Sequence, residues 1–183
     1  AVLYGGRPFN AIPGIADTIR PWSWAAPVED DRIDNFYMVS DELYRGAQPD
    51  REGMVRLRER GIRTVFNLRK LHSDDDELEG VDLRYYHHPM SGLTPDDEDV
   101  VAFLRVVMDR RNTPVFVHCW HGSDRTGLMC AAYRIFVQGW SRTEAVREMR
   151  EGGFGFHTAW GDIDGYILED MDAEAIRRQL GIE

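Results

Sequence analysis

Apolar positions along this chain fall into two alternating patterns: short unbroken β-prone runs, and longer stretches where apolar residues recur every three or four positions. Val115–Val117 is a short buried strand that ends at His118 and Cys119, Trp120 to Asp124 forms a loop, and Arg125 opens the apolar run LMCAAYRIFV, a helix closed by Gly139. Upstream, Asn35 to Ala47 has two β-prone runs around Ser40 to Glu42 and predicts a hairpin. Pro49 and Asp50 start a helix with Met54, Val55 and Leu57 as apolar positions and Gly61 as its end. Ile62 to Leu68 predicts a strand, and Val81 to His88 another, ended by Pro89. Leu93 to Arg111 predicts a helix with Thr94 as N-cap and Pro95 at its first position, with Asp96, Asp97 and Glu98 at its positive end. Its buried stripe is Val100, Leu104, Val107 and Met108, and Asn112 to Pro114 turns the chain into the strand before Cys119. Ser141 with Glu144 predicts a capping box, and two helices, Asp162 to Asp170 and Asp172 to Leu180, end the chain.

Two regions lack a period. Residues 1–34 are rich in Gly and Pro and predict an extended arm with Trp22 and Trp24 as apolar anchors. Gly152 to His157, GGFGFH, predicts a mobile loop. Residues 35–183 form a single domain: strands alternate with helices and a helical tail follows, which predicts an α/β fold with a central, mostly parallel four- to five-stranded sheet flanked by helices.

Charge narrows the partners. With 22 Lys+Arg against 32 Asp+Glu the net charge is −10, which argues against a general nucleic-acid binder but leaves room for a small anionic substrate in a locally basic pocket. No apolar run reaches the ~18 residues that span a bilayer, so no membrane insertion is expected. The two cysteines, Cys119 and Cys130, exclude a disulfide scaffold. The chain begins at Ala1 rather than Met, so the compartment stays open: cytoplasmic, or periplasmic or secreted if a leader preceded Ala1. Oligomeric state is not legible.

The chemistry concentrates in VFVHCWHGSDRTG, residues 115–127. A loop with inward N–H groups ahead of a helix N-terminus is an anion cradle. Gly122 permits the loop a conformation that a side chain would obstruct, and Arg125 offers a planar fork for two phosphoryl oxygens. The same amides and Arg125 favour a Cys119 thiolate, which can attack phosphorus in line and form a cysteinyl-phosphate. His118 buttresses the loop from beneath, Thr126 is placed to hydrogen-bond the leaving thiolate, and Ser123 is either a ligand to phosphate or a helix cap. Trp120 and His121 line the pocket wall. Arg69 and Lys70, at the carboxyl end of a strand, either contact substrate phosphate or pair with the acidic run Asp74 to Glu77, itself expected to be a solvated loop. His87 and His88 have no third ligand at metal spacing, and His118, Cys119 and His121 are too close in sequence to close a tetrahedral shell, so neither a metal nor a cofactor is expected.

His118-Cys119, five residues, then Arg125-Thr126-Gly127 resembles the signature of the cysteine-dependent protein tyrosine and dual-specificity phosphatase superfamily. LYRGAQPDREGMVRLRERGIRTVFNLR and TPDDEDVVAFLRVVMDRRNTPVFVHC resemble small bacterial and atypical dual-specificity phosphatases, so the similarity covers about Phe36 to Val137. It implies the fold of those phosphatases and hydrolysis of phosphate monoesters of the phosphotyrosine, phosphoinositide or small-ester type. One departure matters. Many members carry a general-acid Asp about thirty residues before the Cys, whereas here His87 to Ser91 contains no carboxylate. Asp124 matches the Asp-Arg-Thr ending of some phosphoinositide phosphatases in the superfamily and is the candidate acid, with Asp96 or Asp97 as substitutes and a structural carboxylate as the plainer role for Asp124. The loop lacks the lysines that lipid-phosphatase members use for extra phosphates. The alternatives are a non-catalytic phosphate-binding module and a rhodanese-like sulfurtransferase.

Overall fold

The strand that delivers Cys119 lies near the middle of the sheet. A computed structural model describes residues 20–157 and 162–182; residues 1–19 of the expected arm lie outside the described residues. The strands are β1 (Ala26–Pro27), β2 (Tyr37–Ser40), β3 (Leu43–Gly46), β4 (Thr64–Asn67), β5 (Arg84–His87) and β6 (Val115–His118). The helices are α1 (Arg51–Glu59), α2 (Asp97–Val107), α3 (Asp124–Phe136), α4 (Arg142–Glu151), α5 (Ile163–Gly165), which runs on as a π-helical turn over Tyr166–Asp170, and α6 (Ala173–Leu180). Sheet order is β1-β2-β3-β6-β4-β5. β3, β6, β4 and β5 form a parallel block, and the β2–β3 hairpin together with β1 extends it antiparallel to six strands, where a mostly parallel sheet of four to five was expected.

Alternation along the central strands makes two cores. Val115 and Val117 of β6 pack with Phe66, Phe103, Leu104, Leu128 and Met129, beneath the helices from α2 onward. Phe116 faces the other way, with Val65, Ile62, Ile33 and the α1 residues Met54 and Leu57. Among the described residues the sheet therefore lies between α1 on one side and α2 to α6 on the other. Every α3 residue from Thr126 to Phe136 is buried, including Arg134, whose guanidinium donates to both oxygens of Glu148 at 2.7 Å. A charge pair so enclosed leaves no room for either partner to be unmatched.

Several boundaries differ from the sequence pattern. Asp96, not Thr94, caps α2: its side chain accepts from the Asp99 amide, Asp99 reciprocates, and Pro95 falls outside the helix. Met108 is the C-cap and 37% exposed rather than in the buried stripe, and Val55 of α1 likewise faces outward. Only Arg84–His87 of the expected 81–88 strand pairs, as the solvent-lapped edge of the sheet. Ser141 caps α4 through the Glu144 amide. In the arm, Trp22 is 97% exposed and packs on no core among the described residues, whereas Trp24 lies between the Arg20 and Arg147 guanidinium groups. Among the described residues no helix is long and apolar enough to cross a membrane.

Candidate active site

β3, β6 and β4 end in register, with Gly46 opposite His118 and His118 opposite Asn67, so the segment 118–125 emerges at the carboxyl edge of a parallel sheet. Its carbonyls all turn outward. His118 O accepts from the Leu68 amide at 3.0 Å, Trp120 O from the Gln48 amide at 3.0 Å, and Cys119 O faces His118 Nδ1 at 3.1 Å. His121 O accepts from Asn35 Nδ2 at 2.9 Å, and Gly122 O and Ser123 O accept from the buried Arg45 guanidinium at 2.7 and 3.4 Å. With the carbonyls held by other partners, the Trp120 to Arg125 amides donate to nothing among the described residues and are left for an anion ahead of the α3 N-terminus. Gly122 has φ +71, and a Cβ there would lie 2.3 Å from Gly46 O, so the loop is seated directly on the end of β3.

The support beneath the loop corrects the reading of the acidic run as solvated. Asp74 is fully buried. Its Oδ1 accepts from Gln48 Nε2 at 2.9 Å and Asn67 Nδ2 at 3.1 Å, and its Oδ2 meets His118 Nε2 at 2.9 Å. His118 Nδ1 faces a carbonyl, an acceptor, so that nitrogen carries a hydrogen and the ring is clamped between Cys119 O and Asp74. His118 thus buttresses the loop as expected. Asp74→Asn puts an NH2 group where one of these oxygens accepts. We expect a cost of about 1–3 kcal/mol, measured as a lower urea midpoint.

Cys119 is buried at the foot of this cradle, and Arg125 at its mouth donates to Leu68 O at 3.1 Å. The other thiol is unsuited to chemistry: burial pushes Cys130 up to about 11. Thr126 Oγ1 is buried with no hydrogen-bond partner among the described residues, which leaves its hydrogen free for an acceptor arriving in the first turn of α3. Ser123 is the N-cap residue of α3 but makes no side-chain cap; its hydroxyl donates instead to Phe154 O at 2.7 Å.

Around the mouth, Trp120 is 54% exposed and stacks against the Arg69 guanidinium at 4.1 Å. Arg69 also donates to Gln48 at 3.1 Å, and burial lowers its pKa from the ordinary arginine value, with Asp74 opposing and the like charge of Arg125 assisting. The acidic partner foreseen for Arg69 is therefore near, but so is the site. His121 lines a cavity of about 440 Å³ together with Gly92, Leu93, Asp124, Arg125 and His157.

Asp124 lies within that cavity wall, but both of its oxygens are engaged: Oδ1 accepts from the His157 amide at 2.8 Å and Oδ2 meets His157 Nδ1 at 3.1 Å. Asp96 and Asp97 are elsewhere. They line a separate groove with Tyr166, Asp96 caps α2, and Asp97 accepts from the Tyr166 hydroxyl at 2.6 Å. Gly152 to His157, expected to be mobile, is pinned: the Phe154 ring is buried against Tyr37 and the Arg45 guanidinium, and its carbonyl accepts from Asn35 and Ser123. His87 and His88 bond to Arg69 O and Asp99 at 2.7 Å each. His72, Asp74 and Glu77 place three ligand atoms within 4.8 Å of one another, but the Asp74 oxygens are already taken by Gln48, Asn67 and His118.

The pattern missed Asp74, Arg45, Asn35 and His157. Arg45 and Asn35 had one available signal, a lone polar side chain at the edge of a β-prone run; His157 had none beyond its own identity.

Comparison with known proteins shows the family. Residues 24–159 match the family described as a DSP-PTPase phosphatase fused to NAD+ kinase. The dual specificity protein phosphatase TpbA of Pseudomonas aeruginosa (strain UCBPP-PA14) is 37% identical over 182 residues, covering 97% of this chain and 78% of TpbA. The crystal structure of P. aeruginosa TpbA in complex with pTyr superposes with a TM-score of 0.77 at 32% identity, covering 88% of this chain and 98% of that one. The catalytic core of the PP-IP phosphatase SIW14 from Saccharomyces cerevisiae gives 0.70 at 28% identity, covering 81% and 91%. The chain belongs to the DSP-PTPase family of cysteine-dependent phosphatases.

Proposed function

We propose that this phosphatase hydrolyses aryl phosphate monoesters, phosphotyrosyl side chains in particular, with Cys119 as nucleophile, Arg125 as the phosphoryl clamp, the Trp120 to Ser123 amides as the cradle and Thr126 as donor to the returning thiolate. The observation that carries it is the cradle: six consecutive carbonyls turned outward around a buried cysteine. The rim supports the aryl reading. Trp120 and the exposed Leu93 offer apolar surface for a ring and its peptide, and Arg69 adds one cation beside Arg125. Two arginines suit one phosphate group better than the crowded charge of an inositol diphosphate, and a net charge of −10 disfavours a polyanion further. The non-catalytic and sulfurtransferase readings are not favoured, because Cys119 and Arg125 share the loop and the relatives named above are phosphatases.

Steady-state assays with a phosphotyrosyl peptide and an inositol diphosphate side by side test the substrate class. We expect kcat/KM to favour the peptide by at least about tenfold; a preference for the inositol diphosphate overturns the aryl reading. Arg69→Ala is expected to lower kcat/KM on the peptide by about tenfold through loss of one charge-assisted contact to phosphate.

A further inference from the structure

The loop after α4 brings a histidine into the wall of the cavity that Arg125 also lines. We propose that His157, not Asp124, is the proton donor of this enzyme, and that Asp124 is the residue that positions it.

Asp124 Oδ1 accepts from the His157 amide and Oδ2 lies 3.1 Å from its Nδ1, where an ionised carboxylate can only accept. A carboxylate used twice as an acceptor has no hydrogen to hand over. Nδ1 points at a carboxylate and so bears a hydrogen, and Nε2 has no hydrogen-bond partner among the described residues. His157 is half exposed and shares its cavity with Arg125, the group that holds the phosphoryl oxygens. Asp124, Arg125 and the His121 ring, 6.2 Å away, are the titratable and charged groups that share the cavity with it among the described residues; Gly92 and Leu93 complete the lining without charge. The position is built. Asn35 Nδ2 binds both His121 O and Phe154 O, tying the cradle and the histidine loop to one amide group. Ser123 adds a second tie to Phe154 O, and Gly153 and Gly155, with φ +77 and +73, let the loop turn over a buried Phe154 ring. This arrangement also accounts for the absence of a carboxylate between His87 and Ser91.

The proposal rests on the reading of Cys119 as nucleophile. In the first step the Cys119 sulfur forms a bond to phosphorus as the bond to the ester oxygen breaks. The electron pair passes to that oxygen, which takes the Nε2 proton, leaving an alcohol or phenol, cysteinyl-phosphate and neutral His157 with Nδ1–H still on Asp124. In the second step Nε2 takes a proton from water as its oxygen bonds to phosphorus. The S–P bond breaks, its electron pair returns to Cys119 as thiolate, inorganic phosphate leaves and His157 is again doubly protonated.

Two esters that differ only in need for a proton make the test: phenyl phosphate, whose leaving group must be protonated, and dinitrophenyl phosphate, whose phenolate leaves unaided. His157→Ala and His157→Gln are expected to lose on the order of 10²-fold more turnover on phenyl phosphate than on the dinitrophenyl ester, and to lose the alkaline fall of the phenyl phosphate pH profile. Asp124→Asn keeps an acceptor for the His157 amide but removes the charge beside Nδ1, so it is expected to lose more turnover on phenyl phosphate than on the dinitrophenyl ester, a selectivity that a purely structural Asp124 would not produce. Equal losses on the two esters in both His157 variants, or an unchanged alkaline limb, overturn the proposal. Cys119→Ser in the same assay keeps the two readings apart: turnover surviving in that variant indicts the nucleophile, whereas a flat leaving-group response with Cys119→Ser inactive indicts His157.

Discussion

Cys119→Ser is expected to abolish turnover of aryl phosphate, by about 10⁴-fold or more, while phosphate or vanadate still binds. The split between the two readouts follows from how the site is made. Oxyanion binding comes from backbone amides whose carbonyls are held away by Leu68, Gln48, Asn35 and Arg45, and from Arg125; none of these depends on the sulfur. Attack on phosphorus depends on the sulfur, because a serine hydroxyl in the same place is a far weaker nucleophile at neutral pH and His118, the adjacent imidazole, is clamped between Asp74 and Cys119 O. Titration calorimetry with phosphate and a stopped assay with phenyl phosphate check both halves. Full activity in the variant would sink the nucleophile assignment, and loss of phosphate binding together with activity would show that the cradle does not stand on the backbone.

The site was legible in the sequence where it is contiguous. Cys119 to Thr126 lies within one strand–loop–helix passage, and a period change from β6 to α3 marks its place without knowledge of the rest of the chain. What braces that loop arrives from far away, and local pattern cannot carry it. Asp74 sits in the run Asp74-Asp75-Asp76-Glu77, and composition assigns such runs to solvent. Only the packing of β4 and β6 side by side brings Asn67 and His118 to Asp74 and makes one of the four acids interior. Asn35 holds φ +54, a conformation that asparagine tolerates better than most residues, and that turn aims its amide at two loops separated by more than thirty residues. The glycines of Gly152 to His157 read as freedom, yet the buried Phe154 among them fixes the loop. The cap of α2 was misplaced for a different reason: Thr94, Asp96 and Asp97 are all competent caps, and the choice falls to Asp96 because Asp99 can return its hydrogen bond.

The same long-range seating makes Gly122→Ala the most damaging small substitution in the cradle. Two independent costs meet there. The residue holds φ +71, where any side chain is strained by roughly 1–3 kcal/mol. Its Cβ would also lie 2.3 Å from Gly46 O and 2.7 Å from the Ala47 amide nitrogen, contacts with backbone that no rotamer relieves. β3 is held in place, because Gly46 pairs with His118 in the parallel ladder. The loop must therefore lift, and lifting it withdraws Gly122 O and Ser123 O from Arg45 and lets the amides diverge. We expect Gly122→Ala to lose about 3–5 kcal/mol of stability and at least about 10²- to 10³-fold in kcat/KM, the scale of a lost oxyanion donor. Unlike Cys119→Ser, this variant should lose phosphate binding in step with turnover, so calorimetry on the two side by side distinguishes a missing nucleophile from a misshapen cradle. A folded Gly122→Ala protein that binds phosphate normally would mean that the contact with β3 does not set the loop.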